Sequence, residues 1–452
     1  MKKPNYEMDM CAGALLPKLL LFAIPLMLSG ILQLLFNAAD MVVIGQYSTT
    51  NALAAIGATS SLINFYVNII MGISVGSNVI VARYYGAQKK EEVHDAVHTS
   101  ILICLILGFV VGILAILTAR SILAFMDTPE DVMDLALLYI RIYFAGLPGI
   151  MLYNFGSAIL RAIGDTKRPL FFLVISGIIN VVLNLFFVIK LHMSVDGVAL
   201  ATIISQTFAA LMVLRCLMKC DGSYQLRLGD LRINRRILFK ILQIGLPAGI
   251  QGMIFSVSNL LIQSSVNFFG PIAMAGNTTC SNIENFVYTS MNSVYQTALS
   301  FTSQNIGGGK YSRINKIMVS CLIIVTMIGL IMGNLINVFG TELLGLYTLK
   351  TDVIAFGLKR MQIICTTYFL CGLMDVLVGV IRGLGYGILP MIVSLIGACG
   401  LRILWIFTIF QDYHKLEVLY CSYPVTWLIT ALAHLICFLI IRRKYPRKDL
   451  SY

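Results

Sequence analysis

Long apolar runs separated by short polar loops repeat along the whole chain, and each run exceeds the roughly 20 residues a helix needs to cross a hydrocarbon core. Hydropathy and turn-forming residues predict twelve spans, at about 15–45, 52–82, 95–118, 131–163, 168–190, 196–219, 237–267, 272–305, 314–338, 353–384, 389–412 and 417–442. A membrane barrel would instead show segments of roughly 10 alternating residues. The expected fold class is therefore an all-α membrane protein with twelve transmembrane helices. The first run is apolar, yet it carries Gln33, Asn37 and Asp40, spaced four and three apart on one helical face. An acid at that depth costs about 2.5 to 3.5 kcal/mol, so this stripe should face protein or water, not lipid.

Composition agrees. The hydrophobic set makes up 58% and charged residues only 12%, and the mean hydropathy is +0.86. Soluble domains are about a quarter charged. No cleavable signal is expected, because the first ten residues include acids and the apolar run behind them is too long. The net charge of +12 does not point to nucleic acid, since Lys and Arg fall in short clusters between apolar runs without a nucleic-acid motif.

One side gathers Lys2, Lys3, Lys18, Arg83, Lys89, Lys90, Arg161, Lys167, Arg168, the cluster from Arg215 to Lys240, Lys310, Arg313, Lys316, Arg382 and the basic tail from Arg442 to Lys448. The other keeps Arg120, Lys190, Lys350 and Lys415, with Arg141, Lys359 and Arg360 near it. The positive-inside rule then predicts a multi-pass protein of the cytoplasmic membrane with both termini cytoplasmic and the lipid bilayer as its partner. The eleven cysteines form no metal spacing. Cys216 and Cys220 lack a neighbouring ligand pair and are expected to be reduced thiols without a shared role.

The polar stretch Lys219 to Arg236 falls mid-chain, and the sequence rhymes on either side of it. Pro25 aligns with Pro247, Asn37 with Asn259, Arg161 with Arg382, Gly164 with Gly385 and Pro169 with Pro390. A repeat of about 221 residues with six spans each predicts two pseudo-symmetric six-helix bundles in parallel orientation, an architecture of transporters. The expected domains are a lobe at 1–220, a cytoplasmic loop at 221–236 and a second lobe at 237–452.

Depth at about 1.5 Å per residue brings Asp40, Asn180, Asn184 and Thr202 to one level, with Asn37 nearby as outer support. Carboxylate, amide and hydroxyl oxygens suit a proton or a small hard cation. Interhelical hydrogen bonding is the alternative role for the two amides. The second half does not repeat this set: Leu401 and Trp405 replace the asparagines, and Asp375, Glu284, Arg402 and His434 are its charged or titratable candidates. Asp375 and His434 stand at similar depth to share a proton, with Tyr288, Met291, Tyr295 and Tyr368 as cavity lining; the alternative is an Asp375 to Arg402 ion pair. Pro25, Pro148 and Pro247 are expected kinks. No metalloprotease, phosphate-loop or serine-hydrolase pattern is present, so no enzyme is expected.

The segments NAADMVVIGQ, RAIGDTKRP, INVVLN, VDGVALATIISQ and CGLMDVLVGVIRGLGY stand in an order and spacing that resembles the multidrug and toxic compound extrusion (MATE) family from about Leu15 to Arg442. The resemblance implies two six-helix lobes in a V that open alternately. It implies export of small amphipathic organic cations (drugs, xenobiotics) in exchange for Na⁺ or H⁺, with no cofactor and a monomeric chain. Residue by residue, Asp40, Asn180, Asn184 and Thr202 match the first-lobe cation site of that family, and Asp375 matches an acid proposed in the second lobe of one branch. That branch has a further acid in the seventh helix, where this chain offers Ser256, Asn259 and Gln263. A flippase for lipid-linked oligosaccharides of the same superfamily is the alternative, and a channel or sensor a third class.

Overall fold

The computed structural model describes residues 6–126 and 128–450, so Lys2 and Lys3 of the charge tally lie outside the described residues. Among these, all regular structure is helical. In chain order the helices are α1 (Leu15–Tyr47), α2 (Thr50–Gly86), α3 (Lys90–Phe125), α4 (Glu130–Ala145), α5 (Leu147–Ala162), α6 (Lys167–Leu185) and α7 (Val195–Lys219). The second half continues with α8 (Arg235–Asn267), α9 (Pro271–Gly307), α10 (Ser312–Val338), the short α11 (Gly340–Gly345), α12 (Thr351–Thr367), α13 (Phe369–Gly383), α14 (Ile388–Ser394), α15 (Leu401–Phe407), α16 (Ile409–Tyr413) and α17 (Leu416–Arg442). π turns extend α6 (Phe186–Lys190) and join α14 to α15 (Leu395–Gly400).

Among the described residues, nine spans are long and apolar enough to cross a membrane by themselves, and α4 with α5 (bent by 47°) and α12 with α13 (bent by 44°) supply two more. Pro148 stands in the first turn of α5, at the first of these bends. The remaining span is α9, whose 37 residues are ample in length but too polar for a hydropathy test. Many of its polar side chains, among them Asn277, Glu284, Ser290, Ser293, Thr297, Ser303 and Asn305, are buried. It packs against α10, α12 and α13, so much of its polarity is spent inside protein. The chain thus has twelve membrane-spanning helical segments in two bundles.

The chain divides into two compact units. The first comprises Met1–Asp9 and Leu28–Gly249; the second comprises Met10–Met27 and Ile250–Tyr452. Both unit boundaries within helices come shortly after a proline, Pro25 inside α1 and Pro247 inside α8.

In the first unit α5 packs on α2, α3 and α7, and α6 packs on α7. The polar stretch after α7 folds back onto the start of α3. Arg227 N–H donates to His98 Nε2 at 3.0 Å, Asn234 N–H donates to Thr99 Oγ1 at 3.1 Å, and Arg232 pairs with Asp95 at 2.8 Å. Lipid tails provide no hydrophobic drive between helices, so close backbone approach matters more here than in water. α2 and α8 use glycine on both sides of their crossing: a Cβ on Gly72 would fall 2.0 Å from the Gly249 nitrogen, and one on Gly76 would fall 2.2 Å from the Ile241 carbonyl oxygen. In the second unit α9 and α13 are central, and a Cβ on Gly333 would meet the Cys365 carbonyl oxygen at 2.1 Å.

Backbone cannot yield as a flexible side chain does, so Gly72→Val should destabilise the protein by about 1–3 kcal/mol through overpacking. Gly57→Ala, at a position with open space around it, should be neutral. Thermal unfolding of both variants in detergent, followed by size-exclusion profile, checks the pair; equal stability of Gly72→Val and wild type would contradict the packing described.

Candidate functional site

The site is built from the last third of α1 and the last third of α6. α1 can approach because α6 has Gly177 there: a Cβ at that position would lie 1.8 Å from the Phe36 ring. The far end of α1 is tied down by Ser48, whose hydroxyl is 3.0 Å from that of Ser194, just before α7. Asn180 and Asn184 are one turn apart on α6 and both buried. Asn184 Nδ2–H donates to Asp40 Oδ1 and, at 3.5 Å, to Asn180 Oδ1. A Ser176 hydroxyl donating to the Ser205 carbonyl at 2.8 Å holds α6 against α7.

Asp40 is half-buried and has no ion pair among the described residues. The amide oxygen of Asn184 is buried and has no hydrogen-bond partner. A buried acceptor left open beside an uncompensated carboxylate is costly, and both are relieved by one species, a proton or a small cation. The residues present therefore fit a hard cation: carboxylate, amide oxygens and a hydroxyl, all neutral but one.

Thr202 is half-buried on α7, and its hydroxyl donates to the Val198 carbonyl at 2.9 Å, leaving its lone pairs available. It is not bonded to the other three. Asn37 and Gln33 are exposed on α1. Tyr139 of α4, buried, lies within electrostatic reach of the Asp40 carboxylate and stacks on Tyr143 at 6.2 Å. Sequence reasoning passes over Tyr139; its only signal is a pair of tyrosines four apart inside a span.

The second unit handles its charges differently. Glu284 of α9 is gripped by Arg360 of α12 through two bonds, Nε to Oε1 at 2.9 Å and Nη2 to Oε2 at 2.7 Å. Arg360 Nη1 also donates to Asn277 Oδ1 at 2.8 Å, and Asn277 Nδ2 donates to Gln263 Oε1 at 2.7 Å. This bidentate pair satisfies both charges inside protein. Arg360 is buried, 6% exposed.

Arg402 does not pair with Asp375. Its guanidinium lies over the Tyr423 ring at 4.1 Å and donates to Thr426 Oγ1 at 3.4 Å. Asp375, half-buried, has no ion pair or hydrogen bond among the described residues, and Arg382 is its basic neighbour. His434 shares a hydrogen bond with Ser394 Oγ at 3.0 Å and not with Asp375. Tyr288 stacks on Tyr368 at 6.5 Å and Tyr368 on Trp427 at 5.2 Å, while Asn259 is exposed.

The pattern that defines the MatE family matches this chain twice, over residues 25–186 and 247–408. The two matches begin 222 residues apart, one in each half of the repeat. Among curated relatives, the probable multidrug resistance protein YoeA of Bacillus subtilis is 27% identical over 421 residues, covering 91% of each chain. The probable multidrug resistance protein NorM of Thermotoga maritima is 24% identical, covering 84% of this chain and 82% of its own. Solved structures share the fold. One described as the outward-facing conformation of a multidrug resistance MATE family transporter of the MOP superfamily matches with a TM-score of 0.91, at 22% identity, over 98% of this chain and 99% of its own. A MOP superfamily transporter from Pyrococcus furiosus matches with a TM-score of 0.91, at 23% identity, over 98% of both chains. With both halves matched and nearly the full length shared, the chain belongs to the MatE family, the multidrug and toxic compound extrusion transporters, and is a membrane transporter, not an enzyme.

Proposed function

We propose that the protein is a secondary antiporter that exports small amphipathic organic cations across the cytoplasmic membrane in exchange for Na⁺ or H⁺. The observation that carries this reading is the Asp40 carboxylate, held by the Asn184 amide with no counter-charge, beside a buried amide oxygen that lacks a donor. Relatives named for multidrug resistance support drug export over the flippase alternative.

The cycle follows from charge. An entering Na⁺ or proton neutralises Asp40, with Asn180, Asn184 and Thr202 offering further oxygens to Na⁺ and Asn37 supporting from the exposed face. Neutralisation removes the attraction for a cationic substrate and lowers the cost of moving the site through a dry intermediate. The membrane potential adds about 2.3 kcal/mol per charge per 100 mV. In this reading the two repeats, 1–220 and 237–452 joined by 221–236, are the bodies that alternate. The chain works as a monomer with both termini cytoplasmic. In the second lobe Asp375, lined by Tyr288 and Tyr368, is the acid that remains free of a basic clamp, and Glu284 is structural because Arg360 already neutralises it. Arg402, His434, Asn259 and Gln263 serve as wall and scaffold of that lobe.

Efflux of a cationic dye from proteoliposomes, with Na⁺ and pH gradients imposed separately, is the direct test. Asp40→Asn should fold, bind the cationic dye more weakly and fail to couple efflux to either gradient; wild-type rates from this variant would overturn the assignment. Asn184→Ala should keep transport but raise the ion concentration for half-maximal rate about tenfold, the size of effect seen when a neighbour of an ion ligand is removed. Arg360→Leu leaves Glu284 buried without a counter-charge, with the Cys280 thiol at 3.2 Å still donating to it, and should cost about 3–5 kcal/mol of stability. Arg360→Leu with Glu284→Leu should recover most of it, as read by thermal unfolding.

A further inference from the structure

Cys216 and Cys220 lie where α7 ends, on the first unit. The sequence alone assigns them no common role; the structure does. They are four residues apart at the end of α7, joined by the Cys220 N–H donating to the Cys216 carbonyl at 3.0 Å, and Arg168 Nη1, from the start of α6, donates to Cys220 Sγ at 3.3 Å. Arg168 is held in place for this by its Nε bond to Asp165, by backbone N–H groups of Lys167 and Arg168 donating to Asp165 Oδ1 at 3.1 Å each, and by Tyr6, whose ring lies 5.1 Å from the guanidinium. Tyr224, next to this turn, donates to Glu7 Oε1 at 2.6 Å. Most of the other cysteines are buried in helices, without a guanidinium on the sulfur.

A thiol four residues from a second thiol, with a cation on its sulfur, is the environment in which a thiolate forms near neutral pH. The neighbouring Cys216 thiol, then the Arg168 guanidinium, bring the Cys220 thiol down to about 6 against the opposing effect of burial. Four residues of helix separate the two Cα atoms by about 6 Å, within the roughly 4.4–6.8 Å span that a disulfide bridges.

We propose that Cys216 and Cys220 are a redox-active dithiol that reacts with small-molecule disulfides, Cys220 as the attacking thiol and Cys216 as the resolving one. The Cys220 thiolate attacks one sulfur of RSSR, forming a Cys220–S–SR bond and releasing RS⁻. Cys216 gives its proton to that RS⁻, and its sulfur attacks the Cys220 sulfur, closing the intrachain disulfide and releasing a second RS⁻. Two cysteines are oxidised, and one disulfide is reduced to RSH and RS⁻. Closure takes the negative sulfur away from Arg168, which sits in the first turn of α6, the helix that carries Asn180 and Asn184. On the basic face of the protein, which the charge distribution assigns to the reducing cytoplasm, the dithiol is reduced at rest and closes when the thiol pool is oxidised.

The test incubates the full-length protein in lipid nanodiscs with glutathione disulfide and maps the products by peptide mass spectrometry. Wild type should yield a Cys216–Cys220 crosslink, and Cys216→Ser should accumulate the glutathione adduct on Cys220. Arg168→Met should slow adduct formation about tenfold at pH 7, the fall in thiolate fraction being partly offset by higher nucleophilicity. Its rate should rise through the ordinary thiol range and not near pH 6, and Arg168→Lys should restore part of the loss. Modification of Cys11, Cys421 or Cys437 as fast as Cys220, absence of the Cys220 adduct in Cys216→Ser, or a pH profile unchanged across Arg168 variants would overturn the proposal. Should Arg168→Met not fold, the Cys216→Ser adduct decides alone.

Discussion

A carboxylate inside a membrane helix must be neutralised by something, and in the first unit no arginine, lysine or histidine does it. Asp40 has a single amide for company, and that amide keeps its own oxygen buried without a donor. The cost of such an arrangement is several kcal/mol in a low-dielectric setting. It persists where an ion or proton is expected to come and go. Packing serves this site directly: Gly177 lets Phe36 and α1 come close to α6, and the Ser48 to Ser194 contact fixes the end of α1.

The second unit shows the contrasting solution. Glu284 and Arg360 saturate each other with two bonds, and Asn277 and Gln263 continue the network, so that acid is electrically finished. Arg402 rests on Tyr423, and Asp375 has no ion pair or hydrogen bond among the described residues. The two halves share one ancestry of pattern, visible in the doubled family match, yet their interior chemistry has parted. A repeat conserves the helical frame because backbone spacing and glycine contacts are set pairwise, while charged side chains can change one at a time as long as each finds its own partner.

Much of this was legible in the residues. Twelve apolar runs and a duplicated order of motifs lead to two six-helix bundles, and the spacing of Asn180 and Asn184 places both on one face, where the structure finds Asn184 donating to Asp40 and to Asn180. Other features were hidden for physical reasons. Hydropathy undervalues α9, since its polar face is buried in protein and periodicity along one helix does not reveal its neighbours. The Glu284 to Arg360 pair joins residues 76 apart in sequence, on two helices whose mutual packing no local pattern specifies. Tyr139 approaches Asp40 from a helix whose rotation about its axis the sequence does not specify. The Cys216 and Cys220 pair looks inert until Arg168, 52 residues away, is seen on the sulfur.

The central claim is that one chain holds one coupling ion at Asp40 in its first half. Equilibrium binding of radioactive Na⁺ to the purified protein, with proton release recorded in the same sample, tests it most directly. One Na⁺ bound or one proton exchanged per chain, displaced by cationic substrate and absent in Asp40→Asn, is the result expected; the same stoichiometry retained in Asp40→Asn would contradict the account.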